Sequence, residues 1–287
     1  MIAFLGPSGT YTEQAAKFFA SLLAEDEASI RSYSSISRVF DAVERGEAES
    51  AAVPIENSLE GSVLVTLDRL AAAPLCIVAE VALPIRHAIF GLVGTDETQV
   101  RQVLSHPQAL AQCRQTLFEF VPLAEHVDVD STAEAVDRVA KQGDRTKVCV
   151  GSVAAGRAAG LQLLRMDAQD IAENTTRFVL VAKESRKLNV MRMHKSDVHK
   201  TSLLLQLGDD HPGALYDVLK VFAKDELNLS RLESRPTKKG LGSYQFYIDV
   251  LGVKDDLIVS QAVQDISMIQ GFSVRNLGSY PCFVECK

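Results

Sequence analysis

Residues 174–177 read Asn-Thr-Thr-Arg and run directly into the apolar stretch Phe178-Val179-Leu180-Val181. A buried strand that starts with two hydroxyls and a guanidinium needs a reason. If Thr176 only begins the strand, the chain is an ordinary two-lobed binder. If Thr176 faces a cleft, its hydroxyl is a proton donor. Threonine is a weak acid, so that role requires a water-poor site with aligned hydrogen-bond donors. Arg177 offers a fork-shaped guanidinium that matches a carboxylate. Side chains alternate along a strand, so a regular strand sends Thr176 and Arg177 to opposite faces. Either the strand is irregular there, or Arg177 supports the site from behind.

Other segments place hydrogen-bonding groups at element ends. GPSGTYTEQAA (6–16) sets Ser8, Gly9 and Thr10 in a turn between a strand and a helix. Such a turn presents backbone N–H groups to an anion. It lacks the GK[ST] ending of a nucleotide P-loop and the GxGxxG spacing of a dinucleotide site. A smaller anion fits better, with a merely capped turn as the alternative. PIENSLEGSV (54–63) puts Asn57, Ser58 and Ser62 at the C-terminal edge of a strand, where open α/β sheets bind ligands. Glu56 and Glu60 oppose an anion there and read as helix caps or as supports for Asn57. Ser58 to Gly61 also reads as a plain capping sequence. SHPQALAQC (105–113) opens a helix at Pro107, and His106 reads as a structural hydrogen-bonding residue, with acid–base chemistry as the alternative. DSTAEAV (130–136) turns a further helix N-terminus, Ser131 and Thr132, toward the cleft.

The elements that must position these residues follow an α/β rhythm. Strand, helix, strand, helix, strand, helix over residues 2–72 predicts a parallel sheet covered by helices. Residues 75–84 and 87–93 then read as consecutive strands, where the chain crosses to a second lobe. The rhythm resumes with a strand at 100–105 and a helix from Pro107 to Phe118. The late strand 176–183 returns to the first lobe, and two lobes joined by crossing strands enclose a cleft. Residues 183–200 hold six Lys or Arg and read as a solvated basic linker. A compact βαββαβ pattern follows, the signature of a ferredoxin-like domain.

Composition narrows the function. The chain has 287 residues, 47% of them hydrophobic, enough for two or three packed domains. A net charge of −7 argues against nucleic acid or an anionic membrane as partner. No apolar run is long enough to predict a transmembrane helix. Met1 enters the first strand with no basic leader or cleavage site, so a cytoplasmic chain is expected. Cys76, Cys113, Cys149, Cys282 and Cys286 are scattered and form no CxxC pair. Neither a disulfide framework nor a metal site is expected, and no cofactor.

GPSGTYTEQAA, PIENSLEGSV, SHPQALAQC, STAEAV and NTTRFVLV, followed by GAL and ESRP, occur in this order. Across essentially the whole chain this resembles the prephenate dehydratases of phenylalanine biosynthesis. The resemblance implies two lobes like a type II periplasmic binding protein, residues 1–183. Lobe 1 is about 1–78 plus 175–183, and lobe 2 about 79–174. It further implies a linker at 184–199 and an ACT regulatory domain at 200–287. Thr176 is implied to protonate the departing hydroxyl, and Ser8, Gly9, Thr10, Asn57, Ser58, Thr132, Arg177 and Phe178 to bind substrate. Gly213, Ala214, Leu215, Glu233, Ser234 and Arg235 are implied to bind L-phenylalanine, between subunits of a homodimer or homotetramer. Arogenate dehydratases carry the same motifs, and an amino-acid sensor on the same fold is the non-enzymatic alternative. Many family members are fused to chorismate mutase, and here the chain starts at the first dehydratase strand.

Overall fold

The computed structural model describes residues 1–26, 29–184, 196, 198–207, 212–237, 244–253 and 256–284. The linker residues 185–195 and 197, Asp209 to His211, and Cys286 lie outside the described residues.

Lobe 1 begins with β1 (Ile2–Leu5), α1 (Tyr11–Leu22), β2 (Ile30–Tyr33), α2 (Ile36–Glu44) and β3 (Ser50–Asn57). β4 (Gly61–Ser62), α3 (Leu64–Ala72) and β5 (Leu75–Pro84) follow. Thr10 caps α1 by accepting from Glu13 N–H at 3.3 Å, and the Glu13 carboxylate accepts from Gly9 N–H. This reciprocal box fixes the turn from its sequence alone. β1 pairs in parallel with both β2 and β3.

Lobe 2 contains β6 (Ala88–Gly91), β7 (Gln102–Ser105), α4 (Pro107–Gln112), α5 (Arg114–Phe120) and β8 (Glu125–Asp128). α6 (Thr132–Gln142), β9 (Lys147–Gly151), α7 (Val153–Ala158) and β10 (Gln162–Arg165) complete it. Its sheet runs β10-β6-β9-β7-β8. The single helix expected from Pro107 to Phe118 is two. The chain leaves helical geometry at Cys113, and Asp170 accepts from Gln115 and Thr116 N–H at 2.9 and 3.1 Å, starting α5 afresh.

β11 (Thr175–Lys183) returns to lobe 1 and lies antiparallel between β3 and β5. β5 pairs with β11 along its whole length to Pro84, so the crossing to lobe 2 falls after residue 84 rather than at 79.

The C-terminal unit is β12 (Val198–Leu207), α8 (Ala214–Lys224), β13 (Leu229–Pro236), β14 (Tyr244–Leu251), α9 (Leu257–Met268) and β15 (Phe272–Val284). Its strands do not form a separate sheet. The end of β15 pairs in parallel with Glu80–Ala82 of β5. One sheet therefore runs β13-β14-β12-β15-β5-β11-β3-β1-β2 through both domains. Gly278 makes the join possible, because a Cβ there would lie 2.1 Å from the Ile77 carbonyl oxygen. Leu204, Tyr247, Leu277 and Tyr280 enter the same core as Phe40, Leu67 and Leu70 of α2 and α3. Each such side chain contributes roughly 1.5–3 kcal/mol on burial, so the junction is a packed core and not a wet contact. Among the described residues no helix is long and apolar enough to cross a membrane.

Candidate active site

A cleft of about 240 Å³ opens between the lobes. Thr10, Tyr11, Asn57, Thr176 and Phe178 line it from lobe 1, and His106, Gln108, Gln112 and Thr132 from lobe 2. Alternation along β11 explains the first set. Phe178 and Leu180 pack on α1, Val179 and Val181 pack toward α2 and α3, and Thr176 falls on the Phe178 side.

The Thr176 hydroxyl is buried, with 8% of the residue exposed. Its partner is unambiguous. Asn57 Oδ1 already accepts from the backbone N–H of Leu59 and Glu60 at 2.9 and 3.1 Å. Asn57 Nδ2 must then face the other way, and it donates to Thr176 Oγ1 at 2.8 Å and to Asn174 Oδ1 at 2.7 Å. Asn174 Nδ2 donates to Gln112 Oε1 at 3.1 Å. That oxygen also sits 3.1 Å from His87 Nε2, so the imidazole carries its proton on Nε2. Burial lowers the His87 pKa and keeps the ring neutral. Two groups are left without partners, His87 Nδ1 and Gln112 Nε2. Both atoms are buried, the second on a residue that lines the cleft. None of these amides accepts from Thr176, so its hydroxyl proton is not taken up by the chain.

Among the described lining residues there is no lysine or arginine. Asp130 is the carboxylate among them, and the other polar lining groups are hydroxyls, amides and imidazoles. Ser131 caps α6 by accepting from Glu134 N–H at 3.1 Å, which brings Thr132 and the first turn of that helix to the cleft. His106 caps α4, its Nδ1 accepting from Gln108 N–H at 3.3 Å, so only Nε2 remains for a ligand. Tyr11 donates to the Arg86 carbonyl, and burial pushes its phenol pKa up to about 12.

Several sequence expectations change. Arg177 does not line the cleft. It lies on the far face of β11 and binds Glu56, Glu80 and Asp249. Burial alone would lower its pKa, but Asp249 and Glu80 outweigh that and raise it. Ser8 is exposed and away from the lining, and Gly9 N–H is consumed by Glu13. Ser58 accepts from Thr175 N–H at 3.0 Å and so pins β11 rather than a ligand. Residues 58–61 do not cap α3: Gly61 and Ser62 pair back on Glu56 and Asn57, and Val63 precedes the helix with no side-chain cap. Glu56 supports Arg177, not Asn57.

In the C-terminal domain Gly213 adopts φ +94° ahead of α8, with no side-chain cap on that helix. Ala214 and Leu215 pack into the domain core. Ser234 is exposed, while Glu233 accepts from Ser62 Oγ at 3.1 Å and Arg235 lies 3.7 Å from Asp68. Within one protomer those two side chains therefore face lobe 1.

The chain of Gln112 and His87 behind Asn174 was not singled out from sequence. Gln108 and Gln112 are four residues apart on α4, one face of a helix, and that spacing is the available signal.

Among the described residues no cluster of three His, Cys, Asp or Glu is placed to hold a metal. Residues 2–186 match the family model "Prephenate dehydratase", and residues 201–267 match "ACT domain". A prephenate dehydratase of Methanocaldococcus jannaschii is 38% identical over 278 residues, 96% of each chain. A prephenate dehydratase from Arthrobacter aurescens, solved in complex with L-Phe, superposes with TM-score 0.85 at 33% identity, covering 98% of this chain and 89% of that one. A solved chain described as a novel type of quorum quenching acylase superposes with TM-score 0.83 at 29% identity, covering 98% of this chain and 97% of that one. By the family model and the full-length relatives, this chain belongs to the prephenate dehydratase family and carries a C-terminal ACT domain.

Proposed function

We infer that the chain is a carbon–oxygen lyase that converts prephenate to phenylpyruvate, carbon dioxide and water, with L-phenylalanine as effector. The observation that carries this reading is the direction of the Asn57–Thr176 hydrogen bond. Acyl transfer on the same fold would need a base to take the proton from a nucleophile. Thr176 has an amide donor in that place. A donor on Oγ1 makes the hydroxyl a better acid and stabilises the alkoxide that forms as its proton leaves. Thr176 is therefore a proton donor and not a nucleophile.

The reaction balances with that single proton. The C–C bond to the ring carboxylate breaks, and its electron pair moves into the ring. The C–O bond at the opposite ring carbon breaks as Thr176 protonates the leaving oxygen. Carbon dioxide and water depart, and one proton from solvent restores the threonine. Aromatisation supplies the driving force, so orientation and one acid suffice. Thr132 and the backbone N–H groups at the helix starts after Thr10 and Ser131 supply the donors for the substrate carboxylates. Phe178, Ile85 and Ala109 supply an apolar wall for the ring.

Residues 1–183 form the catalytic unit, and the regulatory unit starts with β12 at Val198, two residues before the boundary expected from sequence. L-Phenylalanine binds between ACT domains of a homodimer or homotetramer, near Gly213 to Leu215 of one and Ser234 of the other. The test is to incubate purified protein with prephenate and with arogenate, each at increasing L-phenylalanine, with calorimetric binding to wild type and Ser234→Ala. Phenylpyruvate from prephenate, suppressed by phenylalanine, is the expected result. Turnover of arogenate alone would reassign the substrate, and no turnover of either would overturn the enzyme reading.

A further inference from the structure

Behind Thr176 lies a buried set of charges that spans the two domains. Arg177 donates from Nη1 to Glu56 Oε2 at 2.5 Å. From Nη2 it donates to Glu80 Oε2 at 2.5 Å and to Asp249 Oδ2 at 2.8 Å. Glu56 and Glu80 stand on β3 and β5, the strands that flank β11. Asp249 stands on β14 of the ACT domain, and its side chain is 2% exposed. Ser202 Oγ donates to the other Asp249 oxygen at 2.6 Å and lies 2.7 Å from Tyr280 Oη. Lys200 Nζ reaches Glu80 Oε1 at 2.6 Å, and Arg231 helps to hold Asp249 ionised.

The charges divide by domain. Arg177, Glu56 and Glu80 sum to −1 on the catalytic side, and Lys200, Arg231 and Asp249 to +1 on the ACT side. A buried group of ions holds only when each member is paired, and removing one leaves the others uncompensated. The place of the group adds a second role. Arg177 is bonded to Thr176 in the chain, and the register of β11 against β3 shifts between Arg177 and Phe178. The extra residue is Ile55 of β3, between Glu56 opposite Arg177 and Pro54 opposite Phe178, and such a bulge re-aims the Glu56 and Asn57 side chains beside it.

We propose that Asp249 is a positioning residue for Thr176: through Arg177, which also binds Glu56, it holds the start of β11 against the bulged end of β3 so that the threonine hydroxyl stays on Asn57 and points into the cleft. The regulatory domain thereby supplies part of the support of the catalytic hydroxyl. This rests on Thr176 as the proton donor, and the test separates the two claims.

Asp249→Asn keeps the shape and the Ser202 contact and removes the charge that faces Arg177. It lowers kcat about 10-fold and leaves KM for prephenate within about twofold, because lost orientation acts on the transition state more than on binding. In protein labelled at threonine methyls, the Thr176 resonance, identified by its loss in Thr176→Ser, moves. Arg275→Ala is the control. Arg275 donates to the Ala71 and Ala73 carbonyls across the same junction and touches none of these ions. It leaves both kcat and the Thr176 resonance in place. If Asp249→Asn does not fold, Ser202→Ala reads the same link at about threefold, less than a hydrogen bond to an ionised group is worth in full because Arg177 stays on Asp249. An unchanged kcat with an unmoved Thr176 resonance overturns the proposal, as does an equal effect from Arg275→Ala. A wild type that fails to consume prephenate removes the proton-donor reading, while the resonance still decides whether Asp249 positions Thr176.

Discussion

The two faces of β11 keep polar groups buried by opposite means. On the cleft face, Thr176 is held by neutral amides, each donating to the next. On the far face, Arg177 is held by three carboxylates in a network that closes on itself. A neutral chain costs less to desolvate than an ionic one, and it ends in the unpartnered His87 Nδ1 and Gln112 Nε2. The ionic network engages both Nη groups of Arg177, leaves only its buried Nε unpartnered, and holds as a structural fixture. A guanidinium one residue from the Thr176 hydroxyl thus belongs to the frame, although its chemistry suits a carboxylate.

The largest expected effect comes from breaking the ionic face. Arg177→Met strands three buried or half-buried carboxylates and destabilises the fold by about 3–5 kcal/mol. Denaturant unfolding of the two proteins measures it. A loss under about 1 kcal/mol would place Arg177 with ordinary surface pairs and dissolve the contrast.

Breaking the neutral face acts on rate. Asn57→Ala removes the donor to the developing alkoxide and lowers kcat by about 10²-fold, as loss of one oxyanion donor does. Stability changes less, since the amide chain carries no charge. Steady-state kinetics beside a melting curve separates the two. A KM increase with kcat intact would make Asn57 a binding residue only.

The smallest effect is in pH. His87 has its pKa lowered by burial, so below the usual histidine range the unfolded chain takes a proton that the folded one refuses. Its contribution is fully present at and above neutral pH. It is lost as pH falls from about 6.5, by at most about 1.4 kcal/mol per unit. His87→Gln flattens that dependence between pH 7 and 5.5, as read from denaturant midpoints. An unaltered slope would mean that His87 is not held neutral.

Much of this frame is legible in the sequence, because it rests on local chemistry. The capped turn within 6–16 and the strand period of 176–181 each lie within a few residues, and the βαββαβ order follows from successive local periods. Alternation also raised the opposite-face placement of Arg177, against its expected role in binding substrate. The fused sheet is different. It depends on Gly278 passing the Ile77 carbonyl, a contact between residues 201 positions apart that no local pattern encodes. The partners of Arg177 come from positions 56, 80 and 249, and only the register of six strands joins them. Asp249 sits in an apolar strand run, where one carboxylate reads as an exposed alternation and is in fact buried.

The proton-donor role of Thr176 is tested most directly by single-turnover rates with prephenate in wild type, Thr176→Ser and Thr176→Ala. Removing the acid lowers the chemical rate of the alanine variant by at least about 10²-fold with little change in substrate binding. The serine variant, which keeps the hydroxyl, falls between. A near-normal rate in Thr176→Ala would contradict the assignment and move the acid elsewhere in the cleft.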